Sequence, residues 1–317
     1  MNLIDASRVG NLEVVRDLLC PPGGGKGADP NITDDYGHTP LILASLNDHL
    51  EMVKVLLFSG ANPNIANIFH RTPLTAASFR GNLGIVKELL TRGVNPDVTT
   101  DYNISPLFLA SQNDHLEVVK ELLHAGADFN IVNQYDQTPL HMTCIYGHLE
   151  VVRELLFMGM DLNIADKYGR TPLYLASSNG RLGVVKELLL GKADPNIANK
   201  DDETPLYWAS YYGYSEIVKE LLRVGADPNI TNQYGSTPLH WASRDGHFEV
   251  VKELLRVGAD PNIANEDGQT PLSSATNNED LEIIKELENY FPSLLILSLR
   301  RLRKFKIDFS SIPKNLL

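Results

Sequence analysis

An all-α solenoid of stacked helix-turn-helix units is the architecture the sequence predicts, and three observations predict it. Thr-Pro-Leu or Ser-Pro-Leu recurs at Thr39, Thr72, Ser105, Thr138, Thr171, Thr204, Thr237 and Thr270, each start 33 residues after the last. An apolar block resembling VVKELL follows the starts, and a glycine recurs after it at Gly60, Gly93, Gly126, Gly159, Gly225 and Gly258. A period of this size marks a linear array, in which each unit is unstable alone and buries its apolar face on its neighbours. The length of 317 residues, which would otherwise suggest two globular domains, is then compatible with one continuous core.

The unit Asp166 to Leu189, DKYGRTPLYLASSNGRLGVVKELL, shows how each element arises. Thr171 is an N-cap whose hydroxyl accepts from an orphan backbone N–H, and Pro172 takes the first helical position, where a missing N–H costs nothing. Leu173 and Ala176 face inward on this first helix, and the chain turns near Gly180. Leu182, Val185, Leu188 and Leu189 form the apolar stripe of a second helix. The glycine after that helix suits a left-handed C-cap. A loop of the ADPN type and a hairpin-like tip then lead to the next Thr-Pro.

This pattern resembles the ankyrin repeat, with its 33-residue period and T-P-L-H-x-A signature. Thr138-Pro139-Leu140-His141 and Thr237-Pro238-Leu239-His240 carry the full tetrad. The resemblance covers residues 1–290 as an array of about nine repeats, the first of them atypical, followed by a separate segment over 291–317. Two departures stand out. Lys192 occupies an expected glycine position, a substitution that costs about 1 kcal/mol if the turn is kept. In the first unit CPPGGGKGADPN adds five residues before Gly27, which reads as a surface insertion.

Composition narrows the function classes. A formal charge of −12 disfavours a broad nucleic-acid surface, which needs clustered Lys and Arg. Two cysteines, Cys20 and Cys144, are too few for a disulfide framework. With no secretory leader or spanning segment evident, a monomer in the cytoplasm is expected, with the nucleus as the alternative. Gly23 to Gly27 lacks the Gly-Lys-Ser/Thr order of a phosphate loop. His49, His115, His148 and His247 share one repeat position, too far apart on stacked helices for one zinc. Ser, His and Asp recur because the unit recurs, without a singular catalytic arrangement. No enzyme, metal or cofactor is expected.

Binding is the remaining class. The resemblance implies that loop tips and first helices line a concave groove for a protein partner. The tip position is aromatic at Tyr36, Phe69, Tyr102, Tyr135, Tyr168 and Tyr234, whereas Asp201 and Asp267 interrupt the series. Such a ladder either faces a partner or packs between tips. The last two first-helix positions vary most, as Phe79-Arg80, Gln112-Asn113, Ile145-Tyr146, Ser178-Asn179, Tyr211-Tyr212 and Arg244-Asp245. Tyr135, Tyr146, Tyr168, Tyr211 and Tyr212 are therefore the candidate hot spot, since energetic anchors favour Tyr near the centre of an interface.

The segment after Tyr290 is different in kind. Phe291, Leu295, Leu299, Leu302, Phe305 and Phe309 follow a helical spacing, and six basic residues against one acid give it +5, leaving −17 elsewhere. It resembles the SOCS box, whose first element places Ser293, Leu294, Ser298 and Leu302 in its pattern, with Ser298 where the family has Cys. The second element is met at Phe309, Ile312 and Pro313, whereas Lys314 and Asn315 depart from it. The resemblance implies docking of elongin C and a cullin through Leu294, Ser298, Leu302, Ile312 and Pro313, and substrate recruitment to a ubiquitin ligase. The alternatives are a plain C-terminal cap on a passive scaffold or signalling regulator, and an import or anionic-membrane signal in RRLRKFK.

Overall fold

The computed structural model describes residues 1–277 and 280–290, which are helical wherever they are regular. First helices are α1 (Leu3–Val9), α3 (Pro40–Leu46), α5 (Pro73–Arg80), α7 (Pro106–Gln112), α9 (Pro139–Tyr146), α11 (Pro172–Ser178), α13 (Pro205–Tyr211), α15 (Pro238–Arg244) and α17 (Pro271–Asn277). Second helices are α2 (Leu12–Leu19), α4 (Leu50–Phe58), α6 (Leu83–Thr91), α8 (Leu116–His124), α10 (Leu149–Phe157), α12 (Leu182–Leu190), α14 (Ser215–Arg223), α16 (Phe248–Arg256) and α18 over 281–290. The all-helical repeat architecture is thus as the periodicity predicts.

Two compact units are present, Met1–Asp194 and the part beginning at Pro195. Within the first, each of α1, α3, α5, α7 and α9 packs on the next first helix, and α2 to α12 form a parallel row of second helices. Within the second, α13 packs on α15, α15 on α17, and α14 on α16. The core lies between these rows. In the unit dissected above, Leu173, Ala176, Val185 and Leu188 are fully buried, joined by Val184, which the stripe did not include.

The caps behave as their residue types require. The Thr171 hydroxyl accepts from the Tyr174 N–H at 3.2 Å, and equivalent bonds start α3, α5, α7 and α13. Lys192 keeps the turn that glycine makes elsewhere, with φ at 69°. The added loop after Leu19 is exposed from Pro22 to Lys26.

Neighbouring repeats are stapled in three ways that the period alone does not reveal. At the N-terminus of a second helix, Nε2 of His115, His148 and His247 donates to the carbonyls of Phe79, Gln112 and Tyr211 at 3.1, 3.0 and 2.9 Å, and Arg181 Nε donates likewise to Ile145 at 2.9 Å. These three histidines therefore satisfy open C-terminal carbonyls of the preceding repeat's first helix, whereas His49 at the same position makes no such bond. In the ADPN-type loops, Asn31, Asp97, Asn163, Asn196 and Asn229 accept a backbone N–H from the loop one repeat on. At the tips, the carbonyls of Tyr36, Tyr102, Tyr135, Asp201 and Tyr234 accept from the following tip.

Small side chains let the first helices approach. Ser45, Ser78, Ser111, Ser177, Ser210 and Ser243 are fully buried at one repeat position, and Cys144 takes that place in α9. Burial pushes the Cys144 thiol well above its ordinary range, so it is a packing residue rather than a nucleophile.

Candidate protein-binding faces

In the first unit the tips of Tyr36, Phe69, Tyr135 and Tyr168 are held by the side chain at their base, Asp34, Asn67, Asn133 and Asp166 respectively. Asn133 Oδ1 accepts from the backbone N–H groups of Tyr135 and Gln137 at 2.9 and 3.1 Å, and Asp136 takes a left-handed conformation at φ 59°. The loop is thereby closed with its aromatic side chain outward. Asp166 does the same for Tyr168 and Arg170 and also accepts from the Arg170 guanidinium at 2.9 and 2.7 Å. Burial alone would raise the Asp166 pKa, but Arg170 and these N–H groups hold the carboxyl below its ordinary range.

These loops bring Tyr135 and Tyr168 together, their rings stacked at 6.5 Å and 25°, with Arg170 over the Tyr168 face at 4.8 Å. Tyr146, at the end of α9, stacks on His148 at 5.7 Å. All three remain exposed, as do Tyr36, Phe69 and Tyr102. Between repeats two to four of this unit lies an apolar cavity of about 140 Å³, lined by Ile42, Phe69, Ala76, Phe79, Tyr102 and Leu109. Of this lining, Phe69 and Tyr102 belong to the aromatic tip series and Phe79 to a variable first-helix pair; Ile42, Ala76 and Leu109 carry no such mark in the sequence.

In the second unit Tyr234 is the aromatic tip, and a cluster of aromatic residues lies on the first helices. Trp208, Tyr211 and Tyr212 sit at i, i+3 and i+4 along α13 and its C-cap, hence on one face. Trp208 meets Tyr211 at 5.2 Å and stacks on Tyr212 at 5.6 Å and 28°, and Tyr211 meets Tyr212 edge-on at 4.9 Å. Trp241 of α15 occupies the position of Trp208 one repeat later and contacts Tyr211 at 5.1 Å and Tyr207 at 5.9 Å. Arg244 lies 3.7 Å above the Trp241 ring and donates to Asp245 at 2.8 Å.

The cluster is pinned from below. Tyr207 is buried and its hydroxyl accepts from Asn232 at 3.1 Å, while Trp208 Nε1 donates to Glu203 at 2.9 Å. Burial raises the Tyr207 pKa, so it stays a neutral phenol. Tyr212 is 47% exposed. The result is an aromatic surface bordered by a guanidinium and carboxylates, suited to desolvating a partner side chain. Among the described residues no group of three His, Cys, Asp or Glu side chains is placed to hold a metal ion.

The proposed site residues therefore fall into two sets, Tyr135, Tyr146 and Tyr168 in the first unit, Tyr211 and Tyr212 in the second. The tail residues Leu294, Ser298, Leu302, Ile312 and Pro313 lie outside the described residues. Sequence reasoning missed Trp208 and Trp241. The available signal was one helical turn before the variable pair, where Leu43, Ala76, Leu109, Met142 and Leu175 give way to Trp.

The two histidines of the full tetrads are structural. His141 is fully buried, and its Nδ1 accepts from the Thr138 N–H at 3.1 Å. Burial pushes its pKa down to about 4. His240 accepts in the same way from Thr237 at 3.0 Å, and its Nε2 donates to the Gln269 carbonyl at 3.0 Å.

A fold of stapled helix pairs presenting variable side chains on tips and first helices defines a repeat protein of the interaction class. A family model described as Ankyrin repeats (3 copies) matches residues 3–100, 107–199, 183–265 and 206–293. The chain belongs to the ankyrin-repeat family, which indicates a protein–protein interaction module. A search of curated proteins returns no significant match. No described helix is long and apolar enough to cross a membrane.

Proposed function

We propose that the chain is a non-catalytic protein-binding module whose principal anchor surface is the aromatic cluster of the second unit. The observation that carries this reading is the fused group Trp208, Tyr211, Tyr212 and Trp241, in which an exposed tyrosine is backed by rings already fixed in place. Preorganised aromatic residues contribute most to interface energies because little side-chain freedom is lost on binding. Tyr135, Tyr146 and Tyr168 form the corresponding anchors of the first unit. The test is capture of partners by full-length wild type, Tyr146→Ala and Tyr211→Ala proteins of equal folded content. Loss of partners with Tyr211→Ala supports the reading, and an unchanged partner set for both variants contradicts it.

A second reading rests on the sequence Ser293, Leu294, Ser298 and Leu302 alone. In it the tail docks elongin C and, through Ile312 and Pro313, a cullin, so that the captured protein becomes a ubiquitin-ligase substrate. Elongin C should then co-purify with the full chain and be lost on Leu294→Ala. Absence of elongin C from the wild-type preparation would sink this reading and leave the binding module intact.

A further inference from the structure

The second unit combines two properties that together specify an occupant. Between Pro195 and Tyr290 there are seven basic and seventeen acidic side chains, a net −10. Glu203 accepts from Trp208 and Asp245 pairs with Arg244 at the cluster itself, and the tips before α13 and α17 add the exposed acids Asp201, Asp202, Glu266 and Asp267. The cluster also already accommodates one guanidinium: Arg244 lies over the Trp241 ring at 3.7 Å and 5.7 Å from the Tyr211 ring, with Asp245 as its counter-ion. An acidic rim around stacked indole and phenol rings suits a basic peptide with apolar side chains, because Arg both stacks and pairs bidentately.

The chain itself supplies such a peptide. Twenty-seven residues follow Tyr290, and they contain RRLRKFK with only Asp308 as an acid. Reach is not limiting. Trp208 stands on α13, two first-helix spacings from α17, or roughly 20 Å at typical helix separations. Twenty-seven residues span about 40 Å if helical and about 90 Å if extended. Tethering to the same unit raises the local concentration of the peptide to about the millimolar range, so modest contacts suffice.

We infer that the basic segment 293–317 docks in cis on the aromatic face formed by Trp208, Tyr211, Tyr212 and Trp241, and that external partners must displace it. Arg300, Arg301 and Arg303 supply the guanidinium groups, and Leu299 and Leu302 the apolar contacts. The inference rests on the reading of this face as a protein-binding surface, and it makes the tail a competitor for the face. Binding of the tail to any other protein would then release the face.

Trp208 and Trp241 are the only tryptophans in the chain, so tryptophan emission, excited selectively over tyrosine, reports this surface alone. The experiment compares the full-length wild type with full-length R300E/R301E/R303E/K304E/K306E, folded content being matched by circular dichroism. At low salt, acrylamide quenching of the wild type should be about twofold weaker than that of the variant, and high salt should erase the difference. A synthetic peptide of residues 293–317 should restore protection to the variant. A second full-length protein, D201N/D202N/E266Q/D267N, changes only exposed rim residues and should quench like the tail variant. Equal quenching of wild type and both variants at low salt would overturn the inference. Protection that vanishes on dilution would assign the occupant to a second copy and overturn the cis arrangement. Loss of an external partner on Trp208→Ala, with no effect of the tail on quenching, would reject the inference while leaving the binding face in place.

Discussion

In the first unit the tips carry an exposed aromatic residue one to a repeat from Tyr36 to Tyr168, whereas in the second, whose aromatic tip is Tyr234, ring contacts gather on α13, its C-cap and α15. The same 33-residue scaffold supports both arrangements. Tip residues are fixed by local loop closure, as Asn133 and Asp166 fix Tyr135 and Tyr168, so each is an independent side chain with at most one ring neighbour. First-helix residues are fixed by the stacking of helices, so Trp208 and Trp241, one repeat apart, share Tyr211 as a common neighbour. A tip ladder offers separable contacts, and a helix cluster offers a single preformed one.

The largest test of this contrast is of the scaffold beneath it. Leu206 under the cluster and Leu140 under the Tyr135 tip are both fully buried in first helices. Leu206→Ala or Leu140→Ala should each cost about 2–5 kcal/mol, read from urea unfolding. Tryptophan emission should follow the Leu206→Ala transition alone, because both indoles lie in the second unit. Coincident transitions for both variants would mean that the two units unfold as one.

Next comes pH. The native pKa of His141, about 4, lies below its ordinary 6.5, so the unfolded chain takes up the proton first as pH falls. Stability is full above 6.5 and declines from there towards 4, by about 3 kcal/mol for the complete shift. His141→Gln should flatten this acid limb of the unfolding curve. His240 is also shifted down by burial, opposed by its bond to Gln269, so His240→Gln should flatten it less. An unchanged pH profile for His141→Gln would contradict a buried neutral imidazole.

Binding effects follow. Trp208→Ala should weaken capture of a partner by about 2 kcal/mol or more, whereas Tyr36→Ala, at a tip outside the cluster, should change it by less than about 0.5 kcal/mol. Similar losses at both positions would erase the distinction between the two regions. Smallest is Lys192→Gly at the end of the first unit. Relief of the left-handed conformation should stabilise the protein by about 1 kcal/mol in thermal unfolding.

The scaffold was legible because its signals are local and repeated. A Thr-Pro pair fixes a helix start wherever it occurs, and the exchange of glycine for Lys192 marked a left-handed turn from spacing alone. The faces were less legible because they depend on which side chains meet across repeats. Tyr211 and Tyr212 could be chosen from variability, but the role of Trp208 requires knowing that position 208 points at 212 and is echoed by 241. The histidine staples were hidden for the same reason, since His247 and its acceptor Tyr211 are 36 residues apart. Tyr135 and Tyr168 are neighbours because consecutive tips hydrogen-bond, a contact the period implies without fixing the ring geometry.

The most direct test of the central claim is tryptophan emission of the full chain during titration with a partner captured by it. The account predicts a saturable change in emission with the same midpoint as binding, lost together with binding in Tyr211→Ala. Binding that leaves both tryptophans unchanged and is abolished by Tyr135→Ala or Tyr168→Ala would contradict it and move the anchor surface to the first unit.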